Sequence, residues 1–264
     1  MYCTLTDQCY REVSLEQRPL RIVSLVPSQT ELLVDLGLEE HLVGITRYCV
    51  HPAGLTDRVA VMGGTKKVVE ARLREVQPDL IICNKEENTP EMVLMCDHIA
   101  PTYVSDISNL DDAVEMIHDL GKLTGAGFKA KSLARNIQMD FNHLPKITST
   151  QKALYLIWKN PYMSIGNDTF IHDIMSKAGL ENVFKDELRY PEVTLDQMVA
   201  LKPEVILFSS EPYAFTDEDL DEVEQAFATA GLSIPQCTLV DGELFSWYGS
   251  RLLKTPTYLK SFIK

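Results

Sequence analysis

Short apolar runs alternate along the chain with stretches whose apolar residues recur at helical spacing. RIVSLV, residues 21–26, is rich in β-branched residues and stops at Pro27, which predicts a buried strand. Ser28 to Glu31 form a capping-box pattern that predicts the start of the helix ELLVDLGL, and Gly37 is placed to end it. This alternation predicts a mostly parallel sheet covered by helices. The following predicted elements are strand HLVGIT, helix 67–77, strand 79–83, helix 89–98 and strand 102–104.

Residues 110–143 differ, because two helical patterns follow each other there with no strand between them. The second, FKAKSLARNIQMDFNHL, predicts a helix of roughly 25 Å at 1.5 Å per residue, long enough to span between two lobes. Pro145 ends it.

The strand and helix alternation then restarts. KALYLIW predicts a strand, and TFIHDIMSKAGL predicts a helix that Asp168 caps and Gly179 closes. LREVQPDLIICNKEEN has a near-echo in DQMVALKPEVILFSSEPY, and the acidic helix 217–230 and strand QCTLVDG complete the repeat. We therefore predict an α/β fold with two Rossmann-like lobes joined by one long backbone helix and a ligand cleft between the lobes. The predicted parts are an N-terminal lobe 1–109, a helical segment 110–145 that includes the interlobe helix, and a C-terminal lobe 146–264.

Composition narrows the class of partner. A formal charge of −13 over 264 residues leaves no basic stripe for a nucleic acid. No apolar run reaches the ~18–20 residues of a membrane span. The first 21 residues lack the apolar region of a secretory signal, which predicts a cytoplasmic protein, or a periplasmic one if a signal has been removed. The six cysteines show no CxxC spacing and are expected to be reduced thiols.

Aromatic, basic and acidic residues concentrate just after the predicted strands. Ligands of parallel α/β sheets collect at the carboxyl ends of the strands. Such residues suit a large, flat, partly charged ligand such as a metal chelate, although packing or mutual ion pairs also account for them. The predicted ligand-binding residues are Arg47, Tyr48, His51, Lys85, Glu86, Trp158, Tyr162, Arg189, Tyr190, Glu211, Phe245, Trp247, Tyr248 and Arg251.

Signatures of catalysis and of a bare metal site are weak. Cys49, His51, Glu86 and Glu211 are of metal-ligating types, but no spacing fixes their geometry, and polar lining or ion pairing is the alternative. The sequence contains no HExxH, no GxSxG and no complete phosphate-binding loop. We predict no catalytic residues and no required cofactor.

The segments RIVSLVPSQTELLVDLG, KALYLIW and AGLENVF, followed by TLDQMVALKPEVIL, resemble the class III periplasmic solute-binding proteins, the cobalamin- and ferric-siderophore-binding family with a helical backbone. The resemblance covers about residues 20–262. It implies a non-catalytic ABC-transporter-type binding protein that holds cobalamin, a ferric siderophore, haem or, in some relatives, a bare metal between two lobes. It also places Pro27, Tyr48, Trp158, Tyr190 and the segment 245–248 at the cleft.

The resemblance further implies docking to an ABC permease through one carboxylate per lobe, seven residues before the proline that precedes a strand. That position is Asp196 in the second lobe; in the first lobe it is Ala71, with Glu70 one residue away. An intracellular enzyme or chaperone acting on a cofactor or metal chelate remains the alternative, as does an interaction module without a ligand. The expected oligomeric state is a monomer or a weak dimer.

Overall fold

Two units of α/β structure make up the chain, and the computed structural model describes residues 1–263 of it. The amino-terminal unit contains residues 1–107, 111–140 and 248–253. The carboxy-terminal unit contains residues 108–110, 141–247 and the chain from Lys254. The division at residue 140 lies in the last turn of the second of the two helices predicted between 110 and 145.

The amino-terminal unit is built on five parallel strands in the order β5-β4-β3-β6-β7. Every residue of β3 and of β6 is buried, as expected for central parallel strands covered on both faces. One face of this sheet packs on α4, where Ile81, Cys83 and Val104 contact Met92 and Cys96. The elements are β1 Cys3–Thr6, β2 Glu12–Leu15, β3 Ile22–Ser24, α1 Pro27–Asp35, β4 Leu42–Thr46, α2 Leu55–Arg58, β5 Val61–Gly63, α3 Glu70–Glu75, β6 Leu80–Asn84, α4 Pro90–Asp97, β7 Thr102–Ser105, α5 Leu110–Thr124 and α6 Gly127–Asn142.

The predicted capping box at the first helix is wrong. Helix α1 begins at Pro27, its N-cap is Val26 and no side chain caps it. Proline at the first helical position has its φ angle preset for a helix, so the helix starts before Ser28. The predicted end of this helix is confirmed, because Gly37 has a φ angle of 82° just after it.

The third helix is shorter than predicted. It covers Glu70–Glu75 instead of 67–77, because Val68 is held in a β-bridge to Gly63. The strand β5 that contains Gly63 was not predicted, since its three residues show no alternation.

An N-terminal hairpin, β1 and β2, was also not predicted, and it covers the edge strand β7. Asp7 at its turn is 3% exposed. Its carboxylate accepts hydrogen bonds from the backbone N–H groups of Cys9 at 3.0 Å, Arg11 at 2.9 Å and Val104 at 3.1 Å. Gln8 Oε1 accepts from the N–H of Asp106 at 3.1 Å. Side chains therefore satisfy N–H groups on the outer edge of β7, where an exposed strand would invite pairing with another chain.

The carboxy-terminal unit is built on four parallel strands in the order β11-β10-β8-β9. Its core joins Leu154, Ile206 and Phe208 of the sheet to Met198 and Phe227 of the helices. The short strand β9 in the AGLENVF segment was not predicted. The elements are β8 Gln151–Leu156, α7 Phe170–Lys177, β9 Leu180–Asn182, α8 Leu195–Leu201, β10 Val205–Ser209, α9 Asp217–Thr229, β11 Gln236–Val240, α10 Glu243–Ser246 and α11 Thr255–Leu259.

The cap of helix α7 differs from the prediction. Thr169, and not Asp168, is its N-cap residue, and its hydroxyl accepts from the N–H of His172. Gly179 has a φ angle of 75° after the helix, which confirms the predicted end.

The predicted internal repeat extends to the backbone. Gln77 and Lys202, which precede the prolines before β6 and β10, both adopt the left-handed conformation, with φ angles of 44° and 49°. The predicted α/β fold of two parallel-sheet units is confirmed. Within residues 1–263, no helix combines the length and the apolar character that crossing a membrane requires.

Candidate ligand-binding site

In the amino-terminal unit, the loop after β4 carries the most exposed aromatic candidate. Tyr48 is 53% exposed, and the guanidinium carbon of Arg47 lies 6.0 Å from the centre of its ring. A Cβ atom on Gly64 would lie 3.3 Å from the Tyr48 ring, so glycine leaves this ring its space. His51 is half-buried in the same loop. The loop therefore presents an aromatic face next to a cation.

A turn after β6 orders the NKEEN segment through two asparagines. Asn84 Oδ1 accepts from the N–H groups of Glu86 at 2.8 Å and Glu87 at 3.1 Å, and the N–H of Asn84 donates to Asn88 Oδ1 at 2.9 Å. Asn88 also donates to the carbonyl of Thr65 at 2.8 Å. The loop is thus held by buried amides, which leaves its charged side chains for other contacts.

The charged side chains of this turn have partners within the unit. Lys85 Nζ lies 2.6 Å from Asp106 Oδ2. Lys66 donates to the backbone carbonyl of Glu86. Burial raises the pKa of Glu87, and the nearby Lys66 ammonium opposes that rise. Among the candidates here, Lys85 is exposed and Glu86 half-buried.

A buried polar network lies beneath these loops, and no local sequence pattern marks its long-range members. Gln29 on α1 is fully buried and donates to Ser105 Oγ at 2.5 Å. Asn84 donates to the same hydroxyl at 3.0 Å, and Ser105 donates to the carbonyl of Cys83 at 3.3 Å. The network links α1 to β6 and β7, and Pro27 opens α1 at the same place.

Arg251, a predicted ligand-binding residue, forms a buried ion pair with Glu31. Its Nε and Nη2 atoms each donate at 2.8 Å to a different carboxylate oxygen of Glu31. A two-pronged pair of this kind is strong and geometrically specific. It fastens the segment 248–253, which contains the buried Tyr248, to α1.

In the carboxy-terminal unit, the loop after β8 carries Trp158, which is 40% exposed. Its ring meets Tyr213 edge to face at 5.8 Å, and Tyr213 meets Phe215 at 4.8 Å. The backbone of Trp158 forms an isolated antiparallel β-bridge with Met163, and Met163 forms another with Glu192. Tyr213 therefore supports Trp158 from one side, and the exposed part of the indole is available for contact.

Tyr162 lies deeper than its prediction as a ligand contact suggested. It is 8% exposed and stacks on Phe215 with ring centres 6.4 Å apart. Burial, with a contribution from Glu222, raises its pKa to about 12. Lys159 lies 5.6 Å from the ring centre and bridges Asp219 and Glu222, each at 2.6 Å.

The loop after β9 places Arg189 beside Tyr190, with the guanidinium carbon 5.4 Å from the ring centre. Asp168 holds this loop, since its Oδ1 accepts from the N–H of Arg189 at 2.6 Å and its Oδ2 lies 3.6 Å from Nη1. The Arg189 side chain remains exposed. This loop repeats the combination of an aromatic ring and a cation found at Arg47 and Tyr48.

The remaining candidates lie around the last strands. Glu211 Oε1 accepts from Ser246 Oγ at 2.5 Å. Phe245 is fully buried against Tyr155 and Tyr258, with ring centres 5.2 Å and 6.1 Å away, so it occupies the position of a core residue. Trp247 is 9% exposed.

Groups that could ligate a bare metal ion do not converge. Across residues 1–263, no three His, Cys, Asp or Glu side chains lie close enough together to hold one. The Cys49 thiol lies 3.2 Å from Thr30 Oγ1 and 3.3 Å from Thr46 Oγ1, and burial raises its pKa. All six cysteines are free thiols.

The two docking candidates differ in their surroundings. Glu70 is the first residue of α3, and its Oε1 lies 2.7 Å from Arg74 Nη2 one turn later. Asp196 lies in the first turn of α8, after a capping box formed by Thr194 and Gln197. It is exposed, and no basic group among residues 1–263 forms an ion pair with it.

The sequence is similar to a known protein family over most of its length. The family model described as periplasmic binding protein matches residues 22–232. The vitamin B12-binding protein of Vibrio parahaemolyticus is 26% identical over 226 residues, which cover 83% of this chain and 80% of that protein.

Solved structures have the same fold. A periplasmic heme-binding protein from Roseiflexus sp. RS-1 aligns with a TM-score of 0.77 and 19% identity, over 91% of this chain and 96% of the other. A protein of an ABC-type Fe3+-hydroxamate transport system from Saccharomonospora viridis aligns with a TM-score of 0.75 and 19% identity, over 99% of both chains.

Proposed function

Because the chain belongs to the periplasmic binding protein family, we propose that it binds a metal chelate of the corrinoid, haem or ferric-siderophore class and passes it on unchanged to an ABC permease. The observation that carries this proposal is the family match over residues 22–232, which spans most of both units. The ligands after which the similar proteins are named, vitamin B12, heme and a ferric hydroxamate, are all large chelates with polar edges.

The loops after the strands fit such a ligand. Each unit offers an exposed aromatic face, Tyr48 in one and Trp158 in the other. Each also places an arginine 5–6 Å from a tyrosine ring centre, Arg47 at Tyr48 and Arg189 at Tyr190. Aromatic faces provide contact area for a planar ring, and guanidinium groups pair with carboxylates or phosphates at its rim.

The chemistry of the loops favours binding over catalysis. The acid and base candidates are occupied in structural pairs, such as Lys85 with Asp106 and Ser246 with Glu211. Groups held in such pairs present fixed charges to a ligand.

We also propose that the chain works in the periplasm or at the outer face of the membrane, where its permease partner receives the ligand. Of the two locations expected from the sequence, cytoplasmic and periplasmic, this is the second. Fractionation of host cells, with a cytoplasmic enzyme as marker, distinguishes the two locations.

The binding proposal is tested by titration calorimetry with cyanocobalamin, haemin and a ferric hydroxamate, each against the purified chain. One of them is expected to bind with 1:1 stoichiometry. Tyr48→Ala and Trp158→Ala are each expected to weaken that binding by about fivefold or more, since an aromatic contact contributes about 1 kcal/mol. Tyr10→Ala is the matched control, because Tyr10 is 93% exposed and lies before the matched residues. Equal effects of all three substitutions would place the ligand elsewhere.

A further inference from the structure

The last strand of the carboxy-terminal sheet, β11, has one edge without a partner strand. Gln236 and Val240 form backbone hydrogen bonds to residues next to the two ends of β10. Because the backbone groups of successive residues in a strand point in alternating directions, the N–H and C=O groups of Cys237 and Leu239 point away from the sheet. Within residues 1–263, no other backbone group bonds to them.

The sheet of the amino-terminal unit has no comparable free edge at β7. There the side chains of Asp7 and Gln8 accept hydrogen bonds from N–H groups on the outer edge of the strand. Strand β11 has no such cover, and Leu239 is 42% exposed. A free edge along a strand of five residues is a template for pairing with an extended chain.

Carboxylates of α9 line this free edge on one face of the sheet. Glu224 accepts a hydrogen bond from the Cys237 thiol, which identifies the flank of α9 that lies beside β11. Asp217 and Asp221 lie on the same flank at helical spacing, and both are exposed. Helix α8, which carries the docking candidate of this unit, lies against the opposite flank of α9. The free edge is therefore bordered by negative charge of its own.

This charge favours a cationic strand and disfavours a second copy of the chain. Antiparallel pairing of two β11 strands about a two-fold axis would keep both α9 helices on one face of the joint sheet and bring their carboxylates together. A lysine or arginine opposite Cys237 or Leu239 would instead lay its aliphatic stem on these two side chains, which share the α9 face. Its charged end would then reach Asp221 or Glu224.

We propose that the free edge of β11 binds an extended segment of another protein, with lysine or arginine at alternate positions, as an added strand of the four-stranded sheet. The backbone of that segment pairs with the N–H and C=O groups of Cys237 and Leu239, and its basic side chains pair with the α9 carboxylates. This adds a protein partner to the proposed function and does not depend on the chelate.

Binding of a synthetic peptide to the full chain tests strand pairing. The probe is a fluorescein-labelled peptide of alternating threonine and arginine. The control is the same peptide N-methylated at each arginine, which keeps the charge and removes the N–H donors. The control is expected to bind about tenfold more weakly or worse. Equal binding of the two peptides would overturn the proposal.

Hydrogen exchange measured by NMR locates the bound peptide. The probe is expected to slow exchange of the N–H groups of Cys237 and Leu239, whereas that of Thr238, which already faces β10, changes little. Slowed exchange at other sites only would overturn the proposal. So would slowed exchange at β11 in a dimer of the chain without peptide, because a second copy would then be the occupant.

Substitutions on α9 test the role of charge. Asp221→Asn removes a carboxylate beside β11, and Glu218→Gln removes an exposed one from a different face of the same helix. Asp221→Asn is expected to weaken binding of the probe severalfold and to reduce its dependence on salt, and Glu218→Gln is expected to leave both unchanged. Equal effects of the two substitutions would contradict the proposed pairing.

Crosslinking in host cells tests whether such a partner exists. A photoreactive phenylalanine analogue replaces Leu239 in one variant and Leu94 in the control, since Leu94 is 59% exposed on α4 of the other unit. The expected crosslink forms at Leu239 only, to a segment with lysine or arginine at alternate positions. No crosslink, or a segment without this pattern, would overturn the proposal. Failure of the chain to bind any chelate would contradict the proposed function alone.

Discussion

The two units share the same alternation of strands and helices, but different kinds of contact stabilise them. In the amino-terminal unit, two buried carboxylates contact groups that are far away in the sequence. Asp7 accepts a hydrogen bond from Val104 in the edge strand β7, and Glu31 forms an ion pair with Arg251. In the carboxy-terminal unit, stacked rings and the ion pairs of Lys159 with the buried Asp219 and the exposed Glu222 hold the loop after β8. Asp7 and Arg251 both lie outside the residues that the family model matches. Residues before and after the matched part of the chain therefore stabilise the amino-terminal unit.

The largest effect is expected from breaking the buried pair of the amino-terminal unit. Arg251→Met leaves the Glu31 carboxylate buried without its partner and is expected to lower the free energy of unfolding by about 3–5 kcal/mol. Arg58→Met is the control, because Arg58 pairs with Glu39 at 2.7 Å on the surface, where a pair contributes at most about 1 kcal/mol. Urea unfolding measures both. Similar losses in the two variants would show that Arg251 stabilises no more than a surface residue.

A smaller loss of stability is expected from a substitution at the hairpin turn. Asp7→Ala removes the acceptor of three backbone N–H groups and is expected to cost about 2–3 kcal/mol, since these bonds go to a charged group. It also uncovers the edge of β7, so self-association should increase in sedimentation velocity. Glu16→Ala, at a side chain that is 84% exposed, is the control. If Asp7→Ala left the free energy of unfolding and the self-association unchanged, the hairpin would not stabilise the sheet edge.

The smallest loss of stability is expected from a substitution of Lys159 in the carboxy-terminal unit, and this loss depends on pH. The hydrogen bonds that Lys159 donates to Asp219 and Glu222 raise the pKa of Lys159. Burial opposes ionisation of Asp219, but the Lys159 and Thr216 donors outweigh it and lower its pKa. Asp219 therefore stabilises the fold above its unfolded pKa near 3.8, and Lys159 does so below its unfolded pKa near 10.5.

Lys159→Met is accordingly expected to cost about 1 kcal/mol between pH 5 and 9. The difference from the unsubstituted chain should shrink as the pH falls through the lowered pKa of Asp219. Thermal unfolding followed by circular dichroism from pH 2 to pH 9 measures it, with Lys185→Met as the control at an exposed pair with Glu181. A loss that persists unchanged at pH 2 would show that Lys159 acts through packing.

Local patterns predicted the parts of the fold that depend on neighbouring residues. The apolar runs of β3, β6, β8 and β10, and the glycines that end α1 and α7, were read correctly because each is a property of a few consecutive residues. The repeated turn before β6 and β10 follows from a proline at the same place in each unit. Helix starts were less accurate, since Val26 and Thr169 cap α1 and α7 in place of the more polar neighbours.

The contacts that close the amino-terminal unit could not be predicted in this way. Asp7 and Val104 are 97 residues apart, and Glu31 and Arg251 are 220 residues apart. Only the folded sheet brings these groups together, so no local spacing marks them. For the same reason, Arg251 was predicted as a ligand contact from its position after a strand, while its buried partner lies on α1. Contact of the exposed residues Tyr48, Trp158 and Arg189 with a ligand stays a prediction.

The most direct test of the central claim, binding without chemical change, is native mass spectrometry of the chain incubated with one equivalent each of cyanocobalamin, haemin and a ferric hydroxamate. The released chelate is then analysed by chromatography and mass. We expect a 1:1 complex with one of the three and recovery of that chelate unaltered. No complex with any of them, or a chelate returned with a changed mass, would contradict it.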